Sequence, residues 1–519
     1  MHTHDILTIA AAIVPDRTAI TFDERQTTFG ELAARANRLA NALAERGVAA
    51  GDRVAVVNVN TPQHIELYFA AARLDAIYVP LNFRDRAEEL RFPLEHTAPK
   101  LIMAGARYVP LIYELNPTSD TLIVVDGPAS EGWLAYDDVL AQGAEDELRV
   151  PEGDPENTAV LLFTAGTTGT PKAVMLSHLS FTEFMLTNVE PPDPDPDSEE
   201  RTLLSMPMHH IAGLQAALAS VYGGRSMVLE RQFEAGEWME FVERHRVNRA
   251  LMVPTMLKQV LDHADFATRD LSSLAVITYG GASMPPSLIE RAIFAFPGTQ
   301  FINAFGQTET GSTIAMVPPE DHVLEGPSEL VAKHRKHLAS IGKPLPDVEV
   351  RVVDGDGADV EVETTGEIVA RGPRLMSGYW GQADATAEAI RDGWLYTGDL
   401  GYVDEDGYVY LEGRAKDFIK RGGEMVAPEE VENVIHDIDG VAECAVVGLP
   451  DETWGERVVA VVVVEPGARV GEGAVKRACQ AHLAGFKRPA HVIFVDALPR
   501  NPLGKVLKRE LREIYGAKR

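Results

Sequence analysis

Nine consecutive residues, Thr164-Ala165-Gly166-Thr167-Thr168-Gly169-Thr170-Pro171-Lys172, gather two glycines, four threonines and a lysine into one short stretch. Glycines let a backbone turn until its N–H groups converge, while hydroxyls and an ammonium add donors and positive charge. A polyphosphate needs that combination. A Walker-type loop keeps four residues between its glycines and ends in Gly-Lys-Ser/Thr. Here two residues separate Gly166 from Gly169 and Pro171 precedes Lys172, so this is a loop of another kind. Taken alone, the stretch also reads as a plain Gly/Thr surface turn.

The loop follows the apolar run at 159–163 and so leaves the end of a buried strand, where α/β sheets place their ligands. Further strand patterns occur at 53–59, 100–103, 121–125, 226–229, 249–253, 274–279 and 300–303. Helical spacing intervenes between several of them, as at 62–74. This alternation predicts an α/β fold of layered subdomains with largely parallel sheets. The pattern changes near residue 413. Beyond it, a proline-opened helix at 428–436, strands at 443–447 and 457–464, a helix at 472–483 and a strand at 491–495 predict a small α+β domain. The expected division is a large domain, 1–413, and a small one, 414–519. Residues 190–200 are rich in proline and carboxylates and predict an exposed loop.

A chain of 519 residues exceeds what one core organises. Its net charge of −30 argues against nucleic acid or anionic lipid as partners, so an anionic ligand must find a local electropositive pocket. Two cysteines, Cys444 and Cys479, make neither a metal motif nor a disulfide framework, which fits a reducing cytoplasm. The apolar run at 6–14 is too short to span a bilayer and reads as the buried face of a first helix.

Five further motifs follow the loop in order. They are Asn303-Ala304-Phe305-Gly306-Gln307-Thr308-Glu309; Tyr396-Thr397-Gly398-Asp399; Gly413-Arg414 with Lys416-Asp417; Gly422-Gly423-Glu424 with Pro428-Glu429-Glu430-Val431-Glu432; and Pro499-Arg500-Asn501-Pro502-Leu503-Gly504-Lys505. With these, nearly the whole chain resembles the acyl-adenylate-forming superfamily of acyl-CoA synthetases, 4-coumarate-CoA ligases, adenylation domains and firefly luciferase. Outside that context, Tyr396 to Asp399 is a turn and Lys505 a solvated charge in a basic tail.

The resemblance implies an enzyme that forms an acyl-adenylate from a carboxylic acid and MgATP, then passes the acyl group to coenzyme A. It assigns Thr164, Gly166, Thr167, Thr168, Gly169 and Lys172 to the phosphates, and Glu309 with Thr167 to Mg²⁺. Gly280, Gly281, Ala282, Asn303, Ala304, Phe305 and Gly306 wall the adenine, with Thr308 beside them. Asp399 and Arg414 take the ribose. Lys505 bridges carboxylate and α-phosphate, where one anion attacking another needs a cation between them. His210, in a Pro-x-x-His-x-x-Gly motif, lies near the acyl carboxylate. Arg84, Gly422, Gly423, Glu424, Trp454, Phe486 and Arg488 approach CoA. Lys416 is the hinge about which a mobile small domain rotates between half-reactions.

Two departures from the family pattern stand out. Ala165 replaces the usual serine, and Ala173 replaces a glycine and is expected to restrict a turn. The acid pocket is expected to draw on His210 and on residues 255–259, 279–283 and 304, and to suit an apolar acid. A carrier-protein thiol as acceptor and a silent adenylate-binding protein stay open as alternatives, as does a homodimer.

Overall fold

The computed structural model describes residues 1–164, 171–282, 284–414, 417–421, 424–451, 454–500 and 506–516, with backbone alone at Arg414, Glu424 and Met425. Among the described residues the strands form four sheets. The strands Arg201–Leu204, Ser226–Leu229, Arg249–Met252, Val276–Gly280 and Gln300–Gln307 run parallel at the centre of a nine-stranded sheet. Its two margins are antiparallel: Thr18–Phe22 with Arg25–Thr28 on one side, Ser312–Val317 on the other. An eight-stranded sheet carries Thr158–Thr164 beside Ile77–Leu81, Arg53–Val57, Leu101–Ala104 and Thr121–Val124.

Burial explains why these segments are strands and helices. Val54, Ala55, Val56 and Val57 are all buried, as a central strand covered on both faces must be. The helix Phe29–Glu45 begins with a capping box between Thr28 and Glu31, and it buries Phe29, Leu32, Ala36 and Leu39. Such a cap stabilises the helix by about 1 kcal/mol. The first helix, His4–Ile13, sinks Ile6, Leu7 and Ala10 into the same core.

The third sheet departs from the expected parallel pattern. Glu349–Val353, Gly366–Arg371, Trp394–Val403 and Val409–Arg414 form antiparallel pairs. Glu349–Val353 begins with charged and apolar residues in alternation, whereas Gly366–Arg371 buries Ile368, Val369 and Ala370 in a row between Glu367 and Arg371. The fourth sheet joins Ile419–Arg421, Glu424–Val426, Val441–Asp451, Gly455–Val464 and His491–Val495, with the helices Pro428–His436 and Glu472–His482 packed on it. Cys444 and Cys479 are free thiols buried in this small core. Among the described residues no helix is long and apolar enough to cross a membrane. Residues 190–200 hold a single short turn of helix, Pro196–Ser198, and are mostly exposed. Arg17 pins this loop through the carbonyls of Asp193 and Asp195.

Candidate active site

Thr164 and Lys172 are the last paired residues of two antiparallel strands, Thr158–Thr164 and Lys172–Ser177. Between them, Ala165, Gly166, Thr167, Thr168, Gly169 and Thr170 lie outside the described residues. Ala173 is fully buried opposite Phe163, and its carbonyl accepts the Trp380 N–H at 2.9 Å. The expectation that Ala173 restricts a turn is therefore corrected: the position is regular strand, which alanine adopts freely.

Lys172 points at an aromatic ring. Its Nζ stands 4.5 Å from the centroid of Tyr379, whose hydroxyl donates to Glu309 Oε1 at 3.1 Å. Tyr379 was invisible to sequence reasoning. It sits in a two-residue strand, Gly378–Tyr379, paired with Val174 and Met175. The Met376 N–H donates to the Glu309 carbonyl at 2.9 Å, fixing the backbone on the other side. Glu309 lies inside a turn closed by Thr310, a fully buried residue whose hydroxyl accepts the Gln307 N–H at 2.8 Å. Gly311 closes that turn at φ +63, where a Cβ would lie 2.2 Å from the Arg374 carbonyl oxygen.

Gln307 joins this group to the next. Its Nε2 donates to Asp399 Oδ2 and, at 3.1 Å, to the Thr397 carbonyl. Asp399 is 4% exposed, and its N–H reaches Thr397 Oγ1 at 3.1 Å. Arg414 is paired with it across the strands Trp394–Val403 and Val409–Arg414. Gly280 is paired with Ala304, and a Cβ there would meet the Ala304 carbonyl oxygen at 2.1 Å. Gly281 follows at φ +75, and Ala282 is exposed. Asn303 Nδ2 donates to the Ser340 carbonyl at 3.2 Å. Phe305 is half-buried against Ile314, Val348 and Ala370, while Thr308 is half-buried at the strand end.

The Pro-x-x-His-x-x-Gly motif precedes the helix Ile211–Tyr222, with His210 at its N-cap. Gly213 is required because a Cβ would stand 2.3 Å from the Pro207 carbonyl oxygen. The rings of His209 and His210 are 4.0 Å apart, and His209 also meets Phe83 edge-on at 5.3 Å. Burial, with Arg84 adding to it, brings His210 down to about 3, so the ring is neutral. His209 is held well below its ordinary value by burial and by His210. The Nε2 atoms of both rings are buried without a hydrogen-bond partner among the described residues. Arg84 lies over Phe83, 5.2 Å from the ring centroid. One lining residue is removed from the acid pocket: Tyr279 is fully buried and its hydroxyl bonds His322 at 2.9 Å.

In the small domain, Trp454 is 51% exposed and its N–H donates to Asp451 Oδ1 at 3.0 Å. Phe486 and Arg488 are half-buried in the segment just before the strand His491–Val495. Lys416, Gly422, Gly423 and Lys505 lie outside the described residues, as do the side chains of Arg414 and Glu424. The residues flanking 501–505 are described. Arg500 pairs with Val506, and the Leu507 N–H reaches the Pro499 carbonyl at 2.8 Å.

The AMP-binding enzyme profile matches residues 7–380, and the AMP-binding enzyme C-terminal domain matches 430–505. The chain belongs to the AMP-binding enzyme family. It is 34% identical over 511 residues to the indoleacetate–CoA ligase of Aromatoleum aromaticum, covering 98% of this chain and 97% of the other. It is likewise 34% identical to the fatty acid–[acyl-carrier-protein] ligase ScoC of Streptomyces coeruleorubidus, over 96% and 94% of the two chains. Among solved structures it superposes on ATP-bound MatB from Rhodopseudomonas palustris with a TM-score of 0.87 at 30% identity, covering 100% and 99% of the chains. This family member is thus an adenylate-forming enzyme that uses ATP, and its class is that of the AMP-forming acyl-CoA synthetases.

Proposed function

We propose that this enzyme joins an apolar carboxylic acid, fatty or aromatic, to free coenzyme A through an acyl-adenylate. The observation that carries the reading is a pair of contact chains, Lys172–Tyr379–Glu309 and Gln307–Asp399, joined by the backbone turn from Gln307 to Thr310, which bring together groups suited to phosphate, cation and ribose.

In this reading Gln307 holds one oxygen of Asp399 and the carboxylate accepts the ribose hydroxyls, with Arg414 assisting. Gly280, Gly281, Ala282 and residues 303–306 leave room for the adenine. Thr164, the Gly166 to Gly169 segment and Lys172 donate to the phosphates. The Glu309 carboxylate is bonded by a neutral hydroxyl, which leaves its charge for a hard cation, so Glu309 with Thr167 would hold Mg²⁺. The bound ion neutralises triphosphate charge. Lys505 then lies between the acid's carboxylate and the α-phosphate, the carboxylate oxygen bonds phosphorus, and pyrophosphate leaves.

Rotation about Lys416 of the small domain, 414–519, against 1–413 would exchange Lys505 for the Gly422-Gly423-Glu424 loop. The thiol of CoA bonds the acyl carbon, AMP departs with the bonding electron pair, and the thiol proton passes to solvent. His209 and His210 are buried and neutral, so neither ring presents a formal charge to the acid, which suits an apolar one. A cytoplasmic setting fits the two free, buried thiols.

A second reading, transfer to a carrier-protein phosphopantetheine, is favoured by the likeness to ScoC. Purified enzyme supplied with MgATP, free CoA and a panel of acids separates the two. Release of pyrophosphate together with an acyl-CoA product is the expected result. Pyrophosphate without any CoA thioester would favour the carrier, and neither product with any acid would overturn both readings.

A further inference from the structure

Arg421 ends the strand Ile419–Arg421, immediately before Gly422. Sequence analysis gave it no role. In the sheet it is paired with Glu424 on one side and with Gly455, the residue after Trp454, on the other. Its Nη1 donates to the Phe486 carbonyl at 2.8 Å and to the Arg488 carbonyl at 3.3 Å. Its guanidinium carbon lies 6.0 Å from the centroid of the Trp454 ring.

Glu424, Trp454, Phe486 and Arg488, all expected at CoA, thus meet Arg421 by register or by contact. Trp454 is half exposed. Guanidinium suits this post because its planar fork presents several donors in fixed directions, whereas an ammonium is a point charge. The two carbonyls also sit one residue apart on either side of Lys487, whose ammonium is taken by Glu430 at 2.6 Å. The segment carrying Phe486 and Arg488 is short, with a three-residue turn, Gly485–Lys487, and no long element to stiffen it.

We infer that Arg421 is the positioning residue of the thioester half-reaction, clamping the Phe486 and Arg488 backbone against Trp454 so that these side chains form one wall for CoA. The inference rests on the CoA reading above. It separates the half-reactions: Arg421 belongs to the fourth sheet, whereas Lys172 and Asp399 belong to two others.

The test uses the full-length enzyme with each half-reaction assayed apart. In Arg421→Ala, KM for CoA should rise about tenfold, the loss expected for charge-assisted hydrogen bonds, with pyrophosphate release from acid and ATP held within about twofold. Arg421→Lys should recover less than half of the lost affinity on a logarithmic scale. Trp454→Ala should raise KM for CoA in the native background and do so less than about twofold in the Arg421→Ala background, because the two act as a unit. An unchanged KM for CoA in Arg421→Ala, or an equal fall in both half-reactions, would overturn the inference. Should Arg421→Ala fail to fold, Arg421→Lys decides: a KM for CoA equal to that of the native enzyme overturns the inference, and a rise confined to CoA supports it. If Trp454→Ala and Arg488→Ala both leave the native KM for CoA unmoved, the reading of this wall as a CoA site fails, independently of Arg421.

Discussion

The nucleotide edge of the large domain and the working face of the small one are built in opposite ways. On the large domain Asp399 is 4% exposed and Thr397 5%, and hydrogen bonds join three segments of the chain, at 307–309, 379 and 397–399. On the small domain Trp454 is 51% exposed, and Arg421 contacts both it and the Phe486 segment. On the proposed reading, groups that hold one ligand through both steps would be fixed in place before it arrives. Groups that arrive, act and withdraw would sit on a surface that gives up little packing when it moves.

The contrast can be broken at its strongest point first. Asp399→Ala removes the buried carboxylate that Gln307 orients, and the account expects kcat/KM for ATP to fall about a hundredfold. Steady-state pyrophosphate release checks this, and a fall of less than about threefold would detach Asp399 from the nucleotide. Gly280→Val places a side chain where even a Cβ would be 2.1 Å from a backbone oxygen. Denaturant unfolding of the large domain should show a loss of about 3 kcal/mol, while the small domain's transition stays in place. Tyr379→Phe deletes only the hydroxyl that bonds Glu309, and should raise KM for MgATP about tenfold with the fold intact by circular dichroism.

Acid should discriminate between the regions more gently. In the large domain burial brings His64, His322 and His4 down to about 4 and His210 to about 3. A histidine whose folded value is depressed binds its proton more readily when unfolded, so its contribution is present above pH 6.5 and is lost as pH falls toward 4. Glu230, raised to about 8 by burial, works in the opposite direction and offsets part of the loss. Between pH 7 and 5 the large domain's unfolding midpoint in urea should therefore drop. The small domain, where His436 is the described histidine lowered by burial, should drop less. Equal shifts in the two transitions would contradict this.

Much of the site was legible because its requirements are local. Gly280 and Gly213 are demanded by a backbone oxygen a short distance away, and a motif records that demand; Gly311 meets the same demand outside any motif. The central parallel strands were legible too: Ser226–Leu229 and the helix Pro428–His436 fall at the residues the apolar pattern indicates. The antiparallel margins were not. Thr18–Phe22 and Arg25–Thr28 turn through Asp23 and Glu24, both at positive φ without a glycine, so no turn signature announces the hairpin. Tyr379 and Gln307 owe their roles to partners 70 and 92 residues away, Glu309 and Asp399. Spacing alone cannot report a contact made by tertiary packing. Arg421 is hidden for the same reason, its carbonyl partners lying 65 and 67 residues along the chain.

The sharpest test of a fixed nucleotide edge served by a visiting small domain is Lys505→Ala, followed through both half-reactions. Pyrophosphate release from acid plus MgATP should fall by at least about a hundredfold, while synthetic acyl-adenylate plus CoA still gives thioester at close to the native rate. Equal survival of the two half-reactions, or equal loss, would contradict the account.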